Sequence, residues 1–117
     1  MEKIIIWHNP RCRKSREGLN YLKSKGVEPE IYDYMKAGIN AEELAALIRK
    51  SGLPLKEFIR TNEKEYKALG LKEKDLTPET FARIAAEHPR LLQRPIVIKG
   101  ERVVLGRPVE RIDALFE

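Results

Sequence analysis

Residues 3–25 read KIIIWHNPRCRKSREGLNYLKSK, and this stretch decides the fold prediction. Its apolar, β-branched start predicts a buried strand, which ends at Asn9-Pro10. Residues 13–25 predict a helix, with Gly26 as its stop. A second strand is predicted at residues 31–34, and two strands joined through a helix are typical of a parallel, right-handed β-α-β unit.

The middle of the chain, at about residues 40–90, predicts short helices throughout. Asn40, followed three residues later by Glu43, is typical of the start of a helix. Thr77 has the same role for a later helix, which has Pro78 at its first position. We therefore expect a helical insertion after the first β-α-β unit.

Two further strands and a helix are predicted at the end of the chain. Residues 96–98 and 103–105 flank a tight turn, in which Gly100 can supply the positive φ of an antiparallel hairpin. A last helix is predicted after Arg107-Pro108. The order β-α-β, helical insertion, β-β-α predicts an α/β fold with a mixed four-stranded sheet, in one domain over residues 1–117.

Composition excludes several classes of protein. A chain of 117 residues that is 42% hydrophobic and 35% charged is typical of a small folded domain. Its apolar runs are far shorter than the roughly 20 residues of a membrane-spanning helix, and we expect neither a membrane segment nor a signal peptide. The single cysteine, Cys12, cannot form an internal disulfide, so we expect a reducing, cytoplasmic setting. We also expect a monomer. The basic excess lacks the motifs of nucleic-acid binding, and we expect no such partner.

The net charge of +5 is concentrated around Cys12. Residues 1–25 contain seven basic and two acidic residues, whereas residues 26–117 contain sixteen of each. Cys12 lies between a strand and a helix, where unpaired backbone N–H groups and the helix dipole favour a thiolate. Cysteines in such positions have pKa values of roughly 3.5–7.5 instead of about 8.5. The nearby groups expected to support the thiolate are His8, Arg11, Arg13, Lys14 and Arg16.

Cys12-Arg13-Lys14-Ser15 is a C-x-x-S version of the C-x-x-C redox motif. Because Ser15 replaces the second thiol, redox chemistry at Cys12 requires an external thiol to complete the cycle. The Ser15 hydroxyl can donate a hydrogen bond to a thiolate or a bound anion, but it is equally compatible with an ordinary serine in the first turn of a helix. A buried cysteine that only fills space is the alternative for Cys12.

Three arginines lie at boundaries between predicted elements. Arg60 follows an apolar pair, Arg94 precedes Pro95 and a strand, and Arg107 lies between Gly106 and Pro108. Each alone is compatible with surface charge. Only their combination with a cysteine at a strand–helix turn distinguishes them from surface charge.

Four separated motifs carry a resemblance to a known family. They are His8-Asn9-Pro10-Arg11-Cys12 with Ser15-Arg16, Ile59-Arg60-Thr61-Asn62 with Tyr66 and Leu69-Gly70-Leu71, His88-Pro89 with Gln93-Arg94-Pro95-Ile96-Val97, and Gly106-Arg107-Pro108. Their order resembles that of the glutaredoxin-coupled arsenate reductases over nearly the whole chain. The resemblance implies a thioredoxin-like fold, with the helical insertion at about residues 40–90.

The same resemblance implies a mechanism and a set of site residues. Cys12 attacks arsenate or a similar oxyanion, and His8 helps to keep the thiol ionised. The arginines implied to bind the oxyanion and its thiol adduct are Arg60, Arg94 and Arg107. Glutathione is the implied co-substrate and glutaredoxin the implied partner, with no metal and no bound cofactor.

The thioredoxin-like resemblance also implies a particular geometry for Pro95. The proline before the third core strand of such a domain is cis and faces the active cysteine. A cis bond before proline costs only about 0.5–1 kcal/mol relative to trans, so the fold can select it. We therefore predict a cis Arg94–Pro95 bond that brings Arg94 toward Cys12.

Two alternatives stay open at this point. One is a glutathione-linked monothiol oxidoreductase that acts on another substrate, which does not need three guanidinium groups around one thiol. The other is a non-enzymatic regulator or binding module similar to the Spx-type transcription regulators. Ser15 argues against a disulfide switch of the Spx kind, because that switch requires a second cysteine.

Overall fold

The computed structural model describes residues Lys3–Glu117. The strands are β1 (Ile4–His8), β2 (Glu30–Asp33), β3 (Ile96–Lys99) and β4 (Arg102–Leu105). The α-helices are α1 (Arg13–Ser24), α2 (Tyr34–Ala37), α3 (Ala41–Ser51), α4 (Lys64–Ala68) and α5 (Pro78–Glu87). Short 3-10 helices occupy Leu55–Phe58, Leu71–Glu73, Pro89–Leu91 and Val109–Phe116. None of the helices in the described part is long and apolar enough to cross a membrane.

The described residues form two compact units. The first runs through Ala37 and resumes at Arg94–Glu117, and the second is Gly38–Gln93. All four strands, α1 and α2 belong to the first unit, and α3, α4 and α5 belong to the second. The helices of the second unit fall in the stretch where the sequence predicts helices. The prediction of a single domain stays a prediction.

The sheet has the strand order β2-β1-β3-β4. β1 pairs with β2 in parallel and with β3 antiparallel, and β3 pairs antiparallel with β4. Ile6 at the centre of β1 lies opposite Ile31 on one side and Val97 on the other. The predicted α/β fold with a mixed four-stranded sheet is confirmed.

The core of the first unit forms because β1 buries side chains on both faces. Ile6 is fully buried with Leu22 of α1 and Ile112 of the last 3-10 helix. On the other side, the Trp7 ring lies 5.2 Å from the ring of Tyr32 and 6.0 Å from that of Tyr34. This double burial holds the end of β1, and the residues that follow it, in a fixed position.

The second unit is built around α3 and α5, which pack against each other. The Asn40 side chain accepts a hydrogen bond of 3.0 Å from the backbone N–H of Glu43 and starts α3, as predicted. The Thr77 hydroxyl accepts a 3.1 Å bond from the backbone N–H of Thr80 and starts α5. Both predicted helix starts are confirmed.

Two predicted elements differ from the structure. The second strand ends at Asp33, because its side chain accepts a 3.2 Å bond from the backbone N–H of Lys36 and starts α2, so that Tyr34 is helical. The last helix is a 3-10 helix over Val109–Phe116. Val109, Ile112 and Leu115 recur every third residue, which suits a helix with three residues per turn.

Candidate active site

Cys12 caps the N-terminus of α1 at the end of a short turn. The Asn9 side chain accepts a 3.0 Å bond from the backbone N–H of Arg11, and the Asn9 carbonyl accepts a 2.9 Å bond from the N–H of Cys12. The Cys12 carbonyl then accepts a 3.1 Å bond from the N–H of Arg16 and starts the helix. The half-buried thiol therefore lies where free first-turn N–H groups converge.

Five effects set the pKa of the Cys12 thiol. Burial alone raises it, because the thiolate is the charged form. The Arg94 side chain opposes burial with a hydrogen bond and a positive charge, and the backbone N–H groups of Ser15 and Lys14 donate further hydrogen bonds. The balance lowers the pKa of Cys12 to about 7, so about half of the thiol is ionised at neutral pH.

Arg94 contacts Cys12, although it belongs to the second chain segment of the first unit. It lies immediately before β3, its side chain is only 8% exposed, and its guanidinium donates a hydrogen bond to Cys12. The Arg94–Pro95 peptide bond, for which cis geometry is predicted, is cis, and so is Arg107–Pro108. The structure therefore places an arginine more than 80 positions along the chain beside the thiol.

The Pro95 ring lies in a narrow gap between two glycines, a contact that the sequence analysis did not predict. A Cβ atom at Gly18 of α1 would lie 2.7 Å from Cγ of Pro95, and one at Gly106 would lie 2.9 Å from the same atom. The backbone N–H of Gly106 also donates a 2.9 Å bond to the Pro95 carbonyl. A glycine inside a helix is the sequence signal that could have found this contact.

His8 and Ser15 are both buried, at 6% and 0% exposure. Burial is the main reason that the pKa of His8 is lowered, and nearby Arg16 and Lys23 lower it further, although Asp33 and a backbone group of Ser15 raise it. Burial therefore favours the neutral imidazole, and the role of His8 in keeping the thiol ionised stays a prediction. The Ser15 hydroxyl accepts a 3.3 Å bond from the backbone N–H of Asn9. It is the Ser15 backbone N–H that supports the thiolate.

The exposed basic side chains near Cys12 are not among the leading influences on the pKa of the thiol. Arg13 and Lys14 each lie 3.5 Å from a carboxylate oxygen of Glu17, and all three side chains are at least 40% exposed. Arg16 donates a 2.8 Å bond to the carbonyl of Pro10. Solvent screens such groups, so the leading support for the thiolate comes from Arg94 and the backbone.

The other two predicted arginines lie in different parts of the molecule. Arg107 belongs to the first unit and lines a cleft beside α1. Arg60 belongs to the second unit, where its guanidinium lies 3.0 Å from a carboxylate oxygen of Glu63. Cys12 and Arg94 are thus in contact, while the predicted oxyanion-binding roles of Arg60 and Arg107 stay predictions. No group of three or more His, Cys, Asp or Glu residues within Lys3–Glu117 is placed to hold a metal ion.

The pH dependence of Cys12 alkylation follows from its pKa. Because the thiolate reacts and the thiol does not, the rate of reaction with iodoacetamide should rise to a midpoint near pH 7 and level off above it. An ordinary thiol, with a pKa of about 8.5, would still gain about eightfold in rate between pH 7 and pH 8. A profile of that ordinary kind would contradict the assigned environment.

Gly18→Ala is expected to change the environment of the Cys12 thiol, because the added methyl group clashes with Pro95 next to Arg94. The new methyl group cannot fit 2.7 Å from the Pro95 ring, so α1 and the Arg94–Pro95 segment must separate. We expect a loss of about 1–3 kcal/mol in the free energy of unfolding, partly offset by the higher helix propensity of alanine, and a raised pKa of Cys12. Denaturant unfolding and alkylation profiles measure the two effects. Asn20→Ala, on the exposed face of the same helix, is the matched control, and a Gly18→Ala protein that behaves like it would refute the close contact.

Comparisons with known proteins give consistent matches along the whole chain. A profile of the ArsC family matches residues 7–115. The chain is 38% identical to an arsenate reductase of Haemophilus influenzae over 110 residues, covering 93% of this chain and 95% of that one. It is also 38% identical to an arsenate reductase of Neisseria meningitidis serogroup A, covering 99% of this chain and 100% of that one.

A solved structure shares the fold over almost the full length. It is described as an arsenate reductase from Vibrio cholerae, and it is 35% identical in sequence. The two structures align with a TM-score of 0.90, covering 97% of this chain and 98% of that one. The thioredoxin-like fold that the motifs imply is confirmed.

Proposed function

The chain belongs to the ArsC family, and on that premise we propose that it is an arsenate reductase whose nucleophile is the Cys12 thiolate. The observation that carries the proposal is the contact between Cys12 and the buried Arg94. The guanidinium both favours the thiolate and brings a fixed cation to the place where an attacking sulfur and an oxyanion must meet. Relatives named arsenate reductases, aligned over nearly the whole chain, supply the substrate.

In the proposed first step, the Cys12 thiolate attacks the arsenic of arsenate. A sulfur–arsenic bond forms, and one arsenate oxygen leaves as water after taking up protons. Arsenic stays in the pentavalent state, so no electrons have yet been transferred. Arg94 acts in this step by neutralising the negative charge of the oxyanion that the thiolate approaches.

In the proposed second step, a glutathione thiolate attacks the sulfur of Cys12. A disulfide forms between glutathione and Cys12, and the sulfur–arsenic bond breaks with both electrons going to arsenic, which is released as trivalent arsenite. The thiol of glutaredoxin then attacks the glutathione sulfur and releases the Cys12 thiolate. External thiols are required because Cys12 is the only cysteine of the chain and Ser15 cannot form a disulfide.

Arg60 and Arg107 complete the proposal as further oxyanion-binding groups. Their support is the resemblance of the motifs around them, together with the suitability of guanidinium groups for tetrahedral oxyanions. Arg60→Ala and Arg107→Ala are each expected to lower kcat/KM for arsenate by about 10- to 150-fold, the range for one lost charge-assisted hydrogen bond. Steady-state kinetics at varied arsenate concentration measure kcat/KM. Near-native values in both variants would show that Arg60 and Arg107 are only surface charges.

A coupled assay tests the proposed function. The purified protein is mixed with arsenate, glutathione, glutaredoxin, glutathione reductase and NADPH, and NADPH consumption is followed together with the release of arsenite. We expect consumption that requires arsenate and glutathione and yields one arsenite per NADPH. No arsenate-dependent consumption, together with reduction of a mixed disulfide of glutathione when glutaredoxin is omitted, would instead support a glutathione-linked oxidoreductase with another substrate. No consumption with either arsenate or the mixed disulfide would support a binding module.

A further inference from the structure

A cleft of about 490 Å³ lies on the second unit, and its lining contains no residue that the proposed mechanism uses. Its volume is within the range of roughly 300–1,000 Å³ that is common for small-molecule sites. The residues that line it are Thr61, Tyr66, Lys67, Gly70, Lys72 and Glu73. One continuous stretch of the chain, residues 61–73, therefore builds the cleft.

A left-handed residue, Gly70, brings the two lysines of the cleft together. At the end of α4, the backbone N–H of Gly70 donates a 3.1 Å bond to the carbonyl of Lys67. Gly70 has a φ of +63°, and the 3-10 helix that carries Lys72 begins directly after it. Leu71, which is only 2% exposed, anchors this 3-10 helix in the interior. The chain therefore turns between Lys67 and Lys72, and both line the same cleft.

The charged side chains of the cleft are available to a ligand. Within Lys3–Glu117, no hydrogen bond or ion pair engages the side chains of the two cleft lysines or of Glu73. Elsewhere in the same unit, by contrast, Arg49 is paired with Glu79, and Arg60 is paired with Glu63. Both cleft lysines and Glu73 are exposed. A bound molecule can therefore use these groups without first breaking an ion pair.

The lining favours a ligand with three kinds of group. The ammonium groups of Lys67 and Lys72 attract a phosphate, which lysine binds as a point charge, and the Thr61 hydroxyl can donate a hydrogen bond to it. The half-buried Tyr66 offers an aromatic ring on which a flat base can stack. The Glu73 carboxylate can accept hydrogen bonds from sugar hydroxyls, as acidic residues do in dinucleotide sites.

Simpler molecules use only part of this lining. Inorganic phosphate makes no use of the Tyr66 ring, and the negative charge of Glu73 repels it. An uncharged nucleoside leaves both lysines without a partner. A molecule that joins a phosphate, a sugar and a flat base uses all of these groups at once.

We propose that this cleft binds a nucleoside monophosphate, with its phosphate at the two lysines, its base on the Tyr66 ring and its sugar hydroxyls at Glu73. The inference goes beyond the proposed function, because residues 61–73 of the second unit build the whole site. Cys12 and Arg94 belong to the first unit. The cleft should therefore bind its ligand independently of arsenate reduction.

The binding test uses adenosine 5′-monophosphate and the full chain, with Kd measured by calorimetry. We expect saturable binding of one nucleotide per chain. Ribose 5-phosphate, which lacks the base, should bind about 5- to 150-fold more weakly, the range for one lost stacking contact. Adenosine and inorganic phosphate, which each lack part of the ligand, should also bind more weakly. Inorganic phosphate that binds as tightly as the nucleotide, or no saturable nucleotide binding at millimolar concentration, would overturn the proposal.

Charge-reversed variants locate the site. Lys67→Glu and Lys72→Glu should each bind the nucleotide about fivefold or more weakly, since a lost attraction and an added repulsion at an exposed position are each worth up to about fivefold. Lys64→Glu, the same change at an exposed residue of α4 outside the lining, should bind as the native protein does. Arg94→Ala and Arg107→Ala, which alter the proposed oxyanion site, should also keep the native Kd. Equal Kd values in the native protein and both cleft variants, or weaker binding after either arginine change, would overturn the assignment of the cleft.

Discussion

Cys12→Ser is expected to abolish arsenate reduction, to the background rate of glutathione alone. A serine hydroxyl is not ionised at neutral pH, whereas the Cys12 thiol with its pKa of about 7 is about half ionised. Serine also cannot form the disulfide with glutathione through which the electrons pass. Arsenite release in the coupled assay measures the effect.

The fold should survive this substitution. Cys12 is half-buried and makes its capping bonds through its backbone, so serine can occupy the same position at the start of α1. Circular dichroism and the thermal midpoint should stay close to those of the native protein. Substantial arsenate reduction by a folded Cys12→Ser protein would show that the nucleophile lies elsewhere.

Arg94→Ala is expected to have the second-largest effect, because this residue acts on both the thiol and the substrate. Losing a charge-assisted hydrogen bond should by itself lower kcat/KM for arsenate by about 10- to 150-fold, as at Arg60 and Arg107, and the loss of thiolate should lower it further. Burial of Cys12 remains when the guanidinium is gone, so the pKa of the thiol should rise toward or above its ordinary value of about 8.5. Steady-state kinetics and the pH profile of alkylation measure the two effects separately.

Two further variants keep the Arg94 prediction specific. Arg94→Lys retains a positive charge and should restore part of the pKa shift, but it lacks the planar donor fork and should not restore the full rate. Arg83→Ala removes an exposed arginine of α5 in the second unit and should leave both the rate and the alkylation profile unchanged. An alkylation midpoint that stays near pH 7 in Arg94→Ala would contradict the assigned contact with Cys12.

Local sequence signals were enough to predict elements of both units. The apolar run before Asn9, the cap at Asn40 and the cap at Thr77 each act through residues close in sequence, and the structure has β1, α3 and α5 where these signals place them. Such patterns are readable because strand alternation and capping depend on a few neighbouring residues.

The two elements that differ from their predictions depend on interactions between neighbouring residues. The Asp33 side chain starts a short helix at Tyr34, whereas the pattern of residues 31–34 predicts that the strand continues through Tyr34. In the last helix, the spacing of Val109, Ile112 and Leu115 favours three residues per turn, a distinction that a general helical pattern does not make.

The site was predictable in part, and for two different reasons. Cys12 at a strand–helix turn follows from local sequence, whereas its pairing with Arg94 was implied only by the family resemblance, because the two residues are far apart in the chain. The burial that lowers the pKa of His8 and the contacts of Gly18 and Gly106 with Pro95 arise from tertiary packing. Such packing has no local signature in the sequence beyond the glycines themselves.

A single-turnover reaction tests the central claim, that the Cys12 thiolate reduces arsenate with electrons from glutathione. The reduced protein is mixed with arsenate and glutathione in the absence of glutaredoxin, and intact-protein mass spectrometry is combined with an arsenite assay. The account predicts one glutathionyl group on Cys12 and one arsenite released per chain, both dependent on arsenate. Cys12 that stays unmodified with no arsenite released, or a glutathionyl adduct that forms equally well without arsenate, would contradict it.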